Sequence, residues 1–124
     1  MSVTYTIQDD IAEIKVEGQC TPEELFGGFR NLLASEELTG NTHLLINVGE
    51  SETLPPPEVI ERIAFTIGAG REKFSRRVSV YVTHQVRFGL ARQLSAYLDS
   101  FDLIARPFYD LPEAVDWLRE VRED

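Results

Sequence analysis

Apolar and polar residues alternate at the start of the chain, and later segments switch between this period of two and a helical period. Val3, Tyr5 and Ile7 alternate with Thr4, Thr6 and Gln8, and Ala12, Ile14 and Val16 alternate with Glu13, Lys15 and Glu17. Two such runs joined by Asp9-Asp10 predict a β-hairpin with one polar face. Thr21-Pro22-Glu23-Glu24 then has a cap, a proline suited to the first helical position and a capping-box glutamate. Leu25, Phe29, Leu32 and Leu33 supply the buried stripe of that helix, with Phe26 beside it. Gly27-Gly28 interrupts it, which suggests a close approach to the sheet or to another chain.

A near-continuous apolar run, Leu44, Leu45, Ile46 and Val48, predicts a strand over about 43–48 that is covered on both faces. Leu54-Pro55-Pro56-Pro57 leads into a helix with Val59, Ile60, Ile63, Ala64 and Ile67 on one side, closed by Gly68 and Gly70. Val78, Val80 and Val82 mark a fourth strand. Gln85 to Leu98 is a third helix, with Val86, Leu90, Leu94, Tyr97 and Leu98 spaced for burial. Leu103 to Tyr109 is a fifth strand that Pro107 limits to an edge or a strand end. Asp110-Leu111-Pro112-Glu113 opens a last helix with Ala114, Val115, Leu118 and Val121 as its stripe and Trp117 beside it. The order is β-β-α-β-α-β-α-β-α. It predicts a single α/β domain over 1–124 with an antiparallel opening hairpin and otherwise parallel pairings.

Composition narrows the function. The chain has 124 residues and one cysteine, Cys20, so no internal disulfide forms. The amino end lacks the features of a signal peptide, and no apolar run approaches the ~20 residues that span a bilayer. A cytoplasmic location away from membranes is the expectation. A net charge of −9 argues against nucleic acid as a partner. Residues 1–61 carry net −10, 62–92 net +6 and 93–124 net −5. Arg71, Lys73, Arg76 and Arg77 form the basic run between helix and strand, expected to solvate a turn or else to attract an acidic partner surface.

The element order resembles that of the SpoIIAA-like proteins, relatives of the STAS domains. The likeness lies in the opening hairpin, the Thr21-Pro22-Glu23-Glu24 helix start, the Leu44–Val48 strand with its polar loop, and the closing Leu111-Pro112-Glu113-Ala114-Val115-Asp116-Trp117-Leu118. The resemblance implies a small mixed sheet packed with helices and a binding role without chemistry. Antagonist STAS domains carry a phosphorylatable serine at the start of the helix after the third strand, where helix N–H groups can hold a phosphate. The matching positions here are Pro55, Pro56 and Pro57, which have neither a hydroxyl nor an N–H. Ser51 and Thr53 lie upstream, in what reads as loop, and are the weak remaining candidates. No phosphorylation switch is expected.

Thr83, His84 and Arg87 are the best polar cluster. They follow a strand and open a helix, so an imidazole, a guanidinium and backbone N–H groups could converge on an anion. In the plainer reading Thr83 caps the helix and His84 and Arg87 face solvent. His43 lies at the other end of its strand from the prolines and should not share a metal with His84. Two histidines and one cysteine argue against a zinc site. Glu23, Glu24, Glu58 and Glu113 suit helix starts, and no serine-hydrolase elbow is present. The expectation is an interaction or regulatory module without catalytic residues, metal or cofactor, forming a homodimer or meeting another protein. The alternative is a carrier or sensor of a small anionic or amphipathic ligand, held by Thr83–Arg87 and an apolar space under the proline-led helix.

Overall fold

A computed structural model describes residues 2–120. Its elements are β1 (Ser2–Gln8), β2 (Ile11–Gly18), α1 (Pro22–Leu33), β3 (Thr42–Ser51), α2 (Pro57–Ala69), β4 (Phe74–Tyr81), α3 (Gln85–Asp99), β5 (Ile104–Phe108) and α4 (Leu111–Arg119). A single 3-10 turn, Arg71–Lys73, leads into β4. The five strands lie in sequence order, β1-β2-β3-β4-β5. The first pair is antiparallel and the other three are parallel.

Each joint has a local cause. The two-residue turn between β1 and β2 places Asp9 at φ 57°, a left-handed conformation that Asp tolerates better than most residues. Thr21 Oγ1 accepts a hydrogen bond from the Glu24 N–H at 3.1 Å, and Glu24 returns one to the Thr21 N–H at 2.7 Å. Pro56 sits at the N-cap of α2 in an extended conformation, and Pro57 takes the first helical position. The Asp110 carboxylate accepts from the Glu113 N–H at the start of α4. Val121, the last residue expected in that helix's stripe, lies outside the described residues.

Helices α1, α2 and α3 share one face of the sheet. Ile14, Leu32, Leu44, Ile67, Val78, Val82 and Leu98 form the centre of the main core there. On the other face α4 packs on β3, β4 and β5, where Leu45, Ala114, Trp117 and Leu118 make a smaller core. That helix ends short of the hairpin's outer strand. Thr4, Thr6 and Gln8 are therefore exposed, as the polar alternation implied.

Four local expectations need correction. Strand β3 runs on to Ser51, because a bulge lets Glu50 and Ser51 pair with Glu17 and Gly18 of β2. Ser51 thus ends a strand and is buried, 7% exposed. Val86, spaced for burial, is 57% exposed, since it lies to one side of the Ala91, Leu94 and Leu98 stripe that α3 buries. Thr83 is not the cap of α3. His84 is, without a side-chain bond, and the Thr83 hydroxyl donates to the Gly49 carbonyl at 2.9 Å.

The basic run does more than solvate a turn. Arg71 and Lys73 donate to the carbonyls of Gly68 and Leu33 at 2.8 and 2.6 Å, and Arg76 donates to that of Asp102 at 3.1 Å. Arg77, 8% exposed, donates to the Trp117 carbonyl and lies 4.7 Å over the Trp117 ring. Four cations thus satisfy carbonyls left over at helix and loop ends.

Candidate functional site

The carboxyl ends of β2, β3 and β4 form the floor of an apolar cavity of about 90 Å³. Val16, Ile46 and Val80 line that floor, Leu25 and Phe29 of α1 and Ile60 and Ile63 of α2 form the walls, and Leu90 and Leu94 close it from α3. Pro55 lies at the rim, so the proline segment is one edge of the mouth. This is where an open α/β sheet keeps its binding crevice. A larger recess between α3 and β5, about 500 Å³, is open to solvent and has Arg92 and Arg106 in its wall.

Three polar side chains reach the apolar cavity: Ser51, Thr53 and Arg87. The Thr53 hydroxyl is fully engaged. It donates to the Gly18 carbonyl at 3.1 Å and accepts from the Cys20 N–H at 2.8 Å. Its role is to tie the proline segment to the end of β2. Ser51 Oγ accepts from the Thr53 N–H at 3.1 Å, which leaves its own O–H free to donate. The Nε of Arg87 is buried and has no hydrogen-bond partner among the described residues. A charged N–H enclosed in this way costs free energy until an acceptor meets it.

The three residues expected to form one cluster separate. Thr83 turns toward Gly49 at the sheet's end, and His84 is exposed. Arg87 alone turns into the cavity. It is half-buried, so the reading that left it in solvent is corrected. The cause is spacing: Arg87 shares the inner stripe of α3 with Leu90, Ala91 and Leu94.

A second polar cluster lies at the opposite end of the sheet. Nδ1 of His43 shares a hydrogen bond with the Ser75 hydroxyl at 2.6 Å, and Nε2 lies 3.6 Å from the Asp10 carboxylate. That carboxylate accepts two bonds from Arg119, at 3.0 and 2.7 Å. The Arg119 bonds hold Asp10 below the usual carboxylate range, and burial pushes His43 below its usual range. Sequence spacing does not reveal this group, because Asp10 and Arg119 stand 109 residues apart. His43 and His84 do lie at opposite ends of the sheet. Among the described residues no three His, Cys, Asp or Glu side chains are grouped to hold a metal, and no helix is long and apolar enough to cross a membrane.

The chain has the SpoIIAA-like fold. A crystal structure of an uncharacterised DUF3478-family protein with that fold, from Shewanella loihica PV-4, superposes with a TM-score of 0.68 over 94% of each chain at 19% identity. Neither a protein-family model nor a curated protein matches the sequence.

Proposed function

We propose that this protein is a non-catalytic, ligand-responsive interaction module that senses a small amphipathic carboxylate. The observation that carries the reading is the buried, unpartnered Nε of Arg87 in the wall of an apolar cavity. A carboxylate placed there accepts from Arg87 and from the free O–H of Ser51, and its hydrocarbon part displaces nothing polar. Size limits the tail. An engineered apolar cavity of about 150 Å³ holds benzene, so one of about 90 Å³ suits a short acyl chain. The exposed apolar side chains of Leu54 and Val86 each adjoin a cavity-lining residue, Pro55 and Arg87. They give a protein partner a surface that changes with the state of the cavity. Phosphorylation is not the signal in this reading, because the Ser51 hydroxyl is enclosed and that of Thr53 carries two hydrogen bonds.

Calorimetric titration with a series of straight and branched short-chain carboxylates tests the proposal. Saturable binding that weakens at least about tenfold in Arg87→Met, the loss expected for one charge-assisted bond, supports it. No binding across the series, together with no copurifying small molecule in native mass spectra, overturns it.

A further inference from the structure

The sheet has two outer edges, and they are treated differently. Edge strands carry unpaired N–H and C=O groups, which proteins normally blunt with charge, proline or short length. β5 has all three. It is five residues long, contains Arg106 and Pro107, and its Ala105 carbonyl accepts a bond from the Ser95 hydroxyl at 2.9 Å. β1 has none of them. Its seven residues, Ser2 to Gln8, include no proline, glycine or charged side chain, and they pair with β2 without a bulge. Its outer edge pairs with nothing among the described residues.

We infer that the open edge of β1 is a self-association surface, on which β1 of a second copy adds antiparallel to give one continuous sheet through two protomers. Three observations select a second copy over another partner. The strand is symmetric in character about Tyr5: Val3-Thr4-Tyr5-Thr6-Ile7 reads nearly the same in both directions. A two-fold pairing centred on Tyr5 therefore sets Val3 opposite Ile7, Thr4 opposite Thr6 and Tyr5 opposite Tyr5, all favourable cross-strand pairs. Tyr5 is also 37% exposed although it lies on the helix-covered face: α1 presses on Val3 of the same strand but leaves part of Tyr5 uncovered, and a facing Tyr5 would cover it. Finally, each copy carries net −9, so most approaches bring acidic surfaces together. β1 is the one strand of the sheet without a charged residue. Two β5 edges would instead oppose Arg106 to Arg106.

Two seven-residue strands make a small interface, so the dimer belongs to the weak, concentration-dependent class. Sedimentation velocity up to about 200 µM, in the range such interfaces populate, should show reversible dimerisation. Outward-facing β1 amides should exchange more slowly as concentration rises. Tyr5→Lys and Tyr5→Glu each set like charges across the two-fold and should weaken dimerisation about tenfold or more. An equimolar mixture of the two should restore it as a heterodimer. Circular dichroism melts establish that both variants fold. If either does not, the concentration dependence of β1 exchange in the unaltered protein decides. A strict monomer throughout the range, a dimer untouched by both substitutions, or β1 exchange independent of concentration overturns the inference. A monomer whose β1 becomes protected only with a different protein also overturns it.

Discussion

Arg77 shows what a single side chain does on the α4 side of the sheet. It is buried, donates to the Trp117 carbonyl, stacks over the Trp117 ring and lies 3.7 Å from Glu120. Its aliphatic stem and planar head fill a space in which a shorter cation would lose the stacking. Arg77→Ala leaves the Trp117 carbonyl without its charged donor and opens a void. We expect a loss of about 2–4 kcal/mol in urea unfolding, with Arg77→Lys restoring only part of it. An alanine variant within about 0.5 kcal/mol of the original would show that Arg77 is a solvated cation after all. Its basic neighbours are visible in the sequence, but which of them is buried is not. The strand period places Arg77 on the same face as Leu45's neighbour Ser79, and only the position of α4 turns that face into an interior.

At the scale of elements, the paired glycines of α1 separate into two cases. A Cβ on Gly28 would lie 2.1 Å from Val3 Cγ1 and 2.8 Å from Val3 Cβ, so α1 touches β1 there at a distance only glycine permits. A Cβ on Gly27 meets nothing within 4 Å. Gly27→Ala should therefore stabilise by up to about 1 kcal/mol through helix propensity. Gly28→Ala should destabilise by about 1–3 kcal/mol through overpacking, less the same propensity gain. Chemical denaturation of the two variants measures the difference. Equal effects would mean that α1 does not press on β1. The sequence marks the pair as unusual for a helix. Which glycine matters depends on the rotation of α1 over the sheet, set by the stripe of Leu25, Phe29 and Leu32.

For the molecule as a whole, the Asp10–Arg119 pair joins the first turn to the last described helix, with His43 beside it. Burial lowers the folded-state pKa of His43, so between that value and about 6.5 the unfolded chain binds more protons than the native one. Stability therefore rises with pH across this window and is lost as pH falls below about 6.5. Asp10, lowered mainly by its bonds to Arg119, adds a second loss below about pH 4. Urea midpoints between these limits should decline with falling pH in the unaltered protein and decline less in His43→Gln. Identical profiles would exclude His43 as a source of the acid sensitivity.

The order of elements, the hairpin, three of the helix starts and the restriction of β5 to an edge or a strand end are determined by local sequence, because period, capping and proline geometry act over a few residues. So is the lack of any side-chain hydroxyl or backbone N–H at Pro55, Pro56 and Pro57. Tertiary structure decided the rest. It separated Thr83 and His84 from Arg87, enclosed Ser51 at the end of β3, and brought Asp10 to Arg119. It also left β1 as the open edge of the sheet. The physical reason is the same throughout: burial and hydrogen-bond satisfaction depend on which elements lie opposite one another, and that arrangement arises only when several amphipathic faces pack at once.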